Sequence, residues 1–157
     1  LTLRITDDGC GMKPEMLSGV TAPSTTSRTT RKVGLGLPLL RLAAEQTGGS
    51  LEITTRHIDE FPEDHGTVVT AVFDTRHIDS PPLGDVISTI VTLIQGHPDS
   101  DLLFCHTAEN LAVSLDTREL REVLGDVPLS TPDVLVWIKD SLLEQYGDGG
   151  GSSVFVR

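Results

Sequence analysis

The chain has 157 residues, 38% of them hydrophobic, with 12 basic and 23 acidic side chains and a formal net charge of −11. No apolar run approaches the roughly 20 residues of a membrane helix, which argues against a membrane protein. Two cysteines far apart in sequence exclude a disulfide scaffold or a four-cysteine zinc site and fit a reducing cytoplasm. The acidic balance also argues against nucleic acid as a partner.

The first residues predict a β-strand that begins at residue 1 or before it. Leu1, Leu3 and Ile5 alternate with polar residues, which is typical of a strand with one buried face. Because a domain rarely begins in mid-strand, we expect the chain to be truncated at its N-terminal side.

Periodicity and turn residues predict the remaining elements. The apolar run at 68–73 favours a central strand, and Gly48-Gly49 predicts the end of a helix. Pro81-Pro82 marks a junction, after which 81–146 forms an α/β extension and 147–157 a flexible tail. The predicted elements are strands at 1–6, 51–57, 67–74, 102–106 and 111–115 and helices at 14–18, 37–47, 83–95, 118–124 and 131–146.

The helices of the second half supply predicted core residues. Thr117 is expected to cap the helix that follows it. The last helix should direct Val134, Ile138 and Leu142 inward, and its Trp137 and Tyr146 are expected to anchor the core.

Two glycine-rich turns carry the chemistry. The first, with Asp7, Gly9 and Gly11, leaves a strand, and its carboxylate could accept a hydrogen bond from an exocyclic amine such as that of adenine. The second, Gly34 and Gly36, opens a helix whose free N–H groups favour phosphate. Between them lies a Thr/Ser/Arg-rich loop whose basic residues, Arg28, Arg31 and Lys32, could add charge beside phosphates.

This ordered pair of turns resembles the ATP-binding domain of the superfamily that joins DNA gyrase, heat-shock chaperones, sensor histidine kinases and mismatch-repair ATPases. The first glycine box, D-x-G-x-G, is residues 7–11, the lid is 13–33 and the second box is 34–37. The resemblance implies an α/β two-layer sandwich with helices over one face of a mixed sheet. Residues 1–80 would be the C-terminal half of a histidine-kinase-like domain.

The resemblance also implies roles for single residues. Asp7 would contact the adenine amine with support from Thr67, and the second glycine box would pass under the phosphates of ATP or ADP. No catalytic residue is expected here, because the family's Mg²⁺ ligand and water-activating carboxylate lie upstream of the first box. The implied nucleotide-binding residues are Asp7, Gly9, Gly11, Met12, Arg31, Lys32, Gly34, Leu35, Gly36, Leu37 and Thr67.

A narrower resemblance covers essentially residues 1–146. The stretches at 25–40, 77–85 and 116–129 are similar to small ATP-binding proteins found beside iron-only hydrogenase and related redox genes in anaerobic bacteria. It implies a cytoplasmic protein with a partner in a redox-enzyme system.

Three functional hypotheses stay open. The leading one is an ATP-binding regulatory module whose lid orders on nucleotide binding, with ATPase activity conceivable only in the intact protein. The second is a non-hydrolysing scaffold that docks through the acidic 83–146 region. The third is a protein kinase that acts on a partner once the upstream helix is present.

Overall fold

The computed structural model describes residues 1–17, 19–20 and 35–148. The chain divides into two compact units, Leu1–Pro82 and Leu83–Arg157. Most of the predicted lid and nearly all of the predicted tail lie outside the described residues.

The first unit is a three-stranded antiparallel sheet with one long helix. Its strands lie in the order β1-β3-β2, so the strand predicted to be central is confirmed. Every pairing among the described strands is antiparallel, whereas a mixed sheet was expected. The elements are β1 (Thr2–Asp7), α1 (Pro14–Leu17), α2 (Gly36–Gln46), β2 (Ser50–Arg56) and β3 (Gly66–Val72).

Helix α2 covers only part of one sheet face. Register aligns Leu3 with Ala71, and Ile5 with Val69, on the same face. Ala71 is fully buried and Val69 nearly so, because α2 packs on β2 and β3. Leu3 and Ile5 stay 42% and 51% exposed, as does Leu1 at 48%. The expectation of a buried face on β1 is therefore wrong for the described residues.

The end of α2 is fixed to the sheet. Thr47 is buried, accepts the backbone N–H of Asp74 and donates to the Ala44 carbonyl at 2.9 Å. Gly48 has φ +76°, and a side chain at Gly49 would collide with the carbonyl of Val72. The predicted glycine stop is thus confirmed. Two leucines of this helix, Leu39 and Leu42, are exposed.

The second unit packs three helices against a two-stranded antiparallel hairpin. The inward residues predicted for the last helix, Val134, Ile138 and Leu142, are all buried. They join isoleucines of the preceding helix and Val113 and Leu115 of the hairpin in one core. The elements are α3 (Val86–Gly96), β4 (Leu103–Ala108), β5 (Leu111–Asp116), α4 (Thr117–Leu124) and α5 (Pro132–Asp148).

Two predictions for this unit are wrong. Trp137 is not a core anchor, because its side chain is 55% exposed. The prediction is confirmed for Tyr146, which packs against the core with its hydroxyl 2.7 Å from Nδ1 of His106. Helix α4 is capped by Asp116 rather than Thr117, whose hydroxyl instead accepts the backbone N–H of Leu102 at 2.7 Å.

Among the described residues, no helix is both long enough and apolar enough to cross a membrane.

The Asp116 cap predicts an acid-sensitive contribution to stability. Hydrogen bonds from the Arg118 side chain and backbone N–H lower the pKa of Asp116 to about 2. Since the folded pKa lies below the ordinary value of about 3.9, the contribution is complete above that value and is lost as the pH falls towards 2. We expect Asp116→Asn to lower the melting temperature at pH 6 but to converge with wild type near pH 2.

Thermal melts across this pH range test the cap, with Asp126→Asn as a matched acid-to-amide control. A gap between Asp116→Asn and wild type that stays constant with pH would contradict the assignment.

Candidate functional site

One row of polar side chains crosses the end of the three-stranded sheet. Asp7 is aligned with Thr67, and Thr67 with Thr55 on the other neighbouring strand. Because side chains alternate along a strand, this row lies on the face that carries Ile5 and Val69. An exposed carboxylate and two hydroxyls thus stand at the end of a partly uncovered apolar surface.

The two hydroxyls are connected through a defined hydrogen-bond chain. Thr55 donates to the Gly66 carbonyl at 3.1 Å and accepts the backbone N–H of Met12 at 2.8 Å. Its oxygen lies 3.3 Å from that of Thr67, which is 9% exposed. Since a hydroxyl has one proton and Thr55 gives it to Gly66, Thr67 donates to Thr55 and keeps a lone pair for another donor.

The first glycine turn is held from both sides. The backbone N–H of Gly9 donates to Oδ1 of Asp7 at 2.9 Å, and the Gly9 carbonyl lies 2.7 Å from Nδ1 of His65. The carbonyl of Cys10 accepts the backbone N–H of Ile58 at 2.9 Å. The carboxylate of Asp7 is therefore oriented by its own turn while remaining open to solvent.

Two glycines allow backbone segments beside the turn to pass very close to one another. Gly11 has φ +68°, and a side chain there would collide with the carbonyl of Arg56. Gly66 has φ +136°, and a side chain there would collide with the carbonyl of Asp7. Both positions need glycine for conformation and for space.

An ion pair joins the segment after the turn to the β2–β3 connection. Nζ of Lys13 lies 3.1 Å from Oδ2 of Asp59. The hydrogen bond from Lys13 holds the pKa of Asp59 below its usual value. Both side chains are more than half exposed, so the pair contributes modestly to stability.

The structure brings together part of the predicted nucleotide-binding set. Asp7, Gly9, Gly11, Met12 and Thr67 lie in or beside the turn and the polar row. At the other glycine box, Leu35 is the N-cap of α2 and Gly36 and Leu37 form its first turn. The remaining three, Arg31, Lys32 and Gly34, lie outside the described residues, as does Arg28.

Sequence reasoning missed Thr55 and His65. Thr55 begins the sequence Thr-Arg-His-Ile-Asp, which recurs at 75–79 and is too short to indicate a repeat architecture. Both copies form the same turn, because the histidine Nδ1 accepts the backbone N–H two residues on, at 3.1 Å from Asp59 and 3.2 Å from Asp79. Thr55 lies beside Thr67 because of the pairing register of β2 with β3, which the sequence alone does not give.

The described residues also bear on the ligand requirements of a metal ion. They contain no group of three or more His, Cys, Asp or Glu side chains that could hold a metal ion. The polar row offers one carboxylate and two hydroxyls, which suit a hydrogen-bond donor better than a divalent cation.

The glycine geometry predicts unequal effects of two alanine substitutions. Gly66→Ala should lower the free energy of unfolding by roughly 2 kcal/mol or more, since it combines a positive φ with a backbone collision. Gly36→Ala should be neutral or stabilise by up to about 1 kcal/mol, because a Cβ there meets nothing within 4 Å in the first turn of α2. Urea unfolding compares the two, and equal losses would contradict the close approach.

Comparison with known proteins supports the likeness of the first unit to one ATPase family. Neither a curated protein nor a solved structure gives a match. Residues 1–77, of 157, match the model of the family described as "Histidine kinase-, DNA gyrase B-, and HSP90-like ATPase". This match, over the segment that holds both glycine boxes and the polar row, supports membership of the first unit in that ATPase superfamily.

Proposed function

We propose that the first unit is the adenine-binding part of an ATP-binding regulatory module. The observation that carries the proposal is the row formed by Asp7, Thr67 and Thr55 at the end of an apolar sheet face. The family match over residues 1–77 supports it independently.

The chemistry of the row suits adenine rather than guanine. The Asp7 carboxylate is an acceptor, and Thr67 keeps an acceptor lone pair after donating to Thr55. An exocyclic amine is a donor and satisfies both acceptors. The carbonyl oxygen that guanine or hypoxanthine carries at the same ring position would instead face a carboxylate. Ile5, one step along the face and half exposed, offers apolar contact to the ring.

The start of α2 would receive the phosphates. The end of α2 is fixed beside Val72, at the far end of β3 from Thr67. A helix of 11 residues is about 16 Å long, and seven strand residues span about 20 Å. Lying on β2 and β3, the helix directs its N-terminus back towards the polar row. Its first N–H groups favour an anion there.

Binding by the remaining predicted residues stays a prediction. The roles of Arg31, Lys32 and Gly34, and the nucleotide-dependent ordering of 13–33, rest on the family resemblance. The same holds for Mg²⁺, for hydrolysis or phosphoryl transfer by the intact protein, for a cytoplasmic location and for a partner in a redox-enzyme system.

Nuclear magnetic resonance titration with ADP tests the proposal. We expect shifts confined to residues 7–12, 55 and 67 and the first turn of α2, with a dissociation constant of roughly 1 mM or below. Asp7→Asn should weaken binding about tenfold or more, because it removes a charge-assisted hydrogen bond to the amine. Asp8→Asn, a change of the adjacent exposed acid, should leave the affinity within about twofold.

Inosine diphosphate separates recognition of the base from attraction of the phosphates. It keeps the phosphates and replaces the amine by a carbonyl oxygen, so it should bind at least about tenfold more weakly than ADP. Equal binding of both nucleotides, or equal effects of Asp7→Asn and Asp8→Asn, would contradict the assignment. Absence of shifts with either nucleotide would leave the scaffold hypothesis as the better one.

A further inference from the structure

We infer that the outward face of α5 is a docking surface for a cationic, amphipathic protein segment, with Trp137 at its centre. The face consists of the six exposed residues Asp133, Val136, Trp137, Asp140, Leu143 and Glu144. The inference concerns the second unit and does not depend on nucleotide binding by the first.

The apolar part of this face is unusual for a helix surface. Trp137 is 55% exposed, and Val136 and Leu143 are 58% and 42% exposed. The opposite side of the same helix already supplies the core through Ile138 and Leu142, which are completely buried. The helix therefore carries apolar residues on both sides, and the described residues cover only one of them. An exposed tryptophan is a typical central contact of a protein interface.

The charged part of the face has one sign. Asp133, Asp140 and Glu144 lie four residues before, three after and seven after Trp137, so helical spacing places them beside its ring. None of the three forms an ion pair with a residue of the described part of the chain. Their charges stay available to a partner.

The described arginines of this unit are paired with acids outside this face. Arg118 pairs with Asp116 and Arg121 with Asp101. Hydrogen bonds from Ser88 are the main cause that lowers the pKa of Asp85, and Lys139, which forms no ion pair with a described residue, adds a smaller coulombic effect. From residue 83 onward the sequence has 12 acidic and 4 basic side chains. A positive partner therefore meets a surface with an excess of negative charge.

Charge complementarity indicates which kind of partner binds the outward face of α5. A second copy of this chain would bring like charges together, and nucleic acid or an anionic membrane would be repelled. A segment with Lys or Arg beside leucine-type residues satisfies every part of the face. Its cation can lie over the Trp137 ring while the flanking carboxylates accept hydrogen bonds, and its apolar residues cover Val136 and Leu143.

Trp137 provides a direct readout, since it is the only tryptophan of the chain. The full chain is titrated with a short helical peptide built from Leu, Lys and Ala, and Trp137 emission and calorimetric heat are followed together. We expect a saturable shift of the emission to shorter wavelength. The same peptide with Glu in place of Lys, and vesicles of anionic lipid, should produce none.

Matched triple variants separate local docking from general attraction. The variant Asp133→Asn, Asp140→Asn, Glu144→Gln should weaken binding by about tenfold or more, which is about 1.4 kcal/mol, since it removes all three charges of the face. The control Glu109→Gln, Glu122→Gln, Asp126→Asn removes the same charge from other exposed positions and should weaken it by less than about threefold. Trp137→Leu keeps an apolar side chain but loses the aromatic face, and should weaken binding severalfold by calorimetry.

Circular dichroism melts check that each variant folds, and all six substituted acids are exposed. Equal weakening by both triple variants would overturn the inference, because attraction would then be general. Heat of binding without a change in Trp137 emission, a response to anionic vesicles, or no binding of the cationic peptide would overturn it as well.

Discussion

The first unit depends on the close approach between the turn after β1 and the strand ends beside it. At Gly66 and Gly11 the backbone passes so near to another carbonyl that any side chain would collide. This approach lets Thr55 accept the Met12 N–H and lets His65 reach the Gly9 carbonyl. The turn is thereby held by β2, by β3 and by the connection between them. Oδ1 of Asp7 accepts the Gly9 N–H, and the carboxylate is still exposed and accessible to a ligand.

The two units differ in how completely they bury their apolar side chains. In the second, α3, α5 and the hairpin enclose a core in which Ile138 and Leu142 lose all contact with solvent. In the first, one helix covers β2 and β3, while Ile5 on β1 remains half exposed. Burial is worth about 25 cal/mol per Å², so most of the stability of this unit must come from the covered half. The polar row lies where covered and uncovered surfaces meet.

Local patterns predicted the elements well, and long-range contacts were harder to foresee. The apolar run at 68–73 indicated the central place of β3, and Gly48-Gly49 indicated the end of α2, because both signals depend on neighbours in sequence. Alternation on β1 indicated an apolar face but could not show whether a helix covers it. The prediction that Trp137 anchors the core was wrong for a related reason. Its helix position does not favour the core, and only the preference of tryptophan for burial suggested it.

The candidate site was predictable where the glycines determine it. Asp7, Gly9 and Gly11 are consecutive in a motif, so their proximity follows from sequence alone. Thr55 lies 48 residues from Asp7, and only the register of two strand pairs across β3 brings them into one row. His65 acts through a contact 56 residues away in sequence. Neither residue belongs to the glycine motifs that pointed to a nucleotide.

Charge separates the two proposed ligands. Residues 1–82 hold 8 basic and 11 acidic side chains, a small excess that a phosphate can tolerate beside a helix N-terminus. Residues 83–157 hold 4 basic and 12 acidic side chains, and this excess of negative charge favours a cationic ligand. Because exposed charges are screened within about 8–10 Å at physiological ionic strength, each ligand responds to its own surface rather than to the net charge of −11. A single acidic chain can therefore bind an anion on one unit and a cationic segment on the other. Raising the ionic strength should weaken the second interaction more steeply, since its selectivity for a cation depends on exposed charges, whereas the adenine row also offers directional hydrogen bonds.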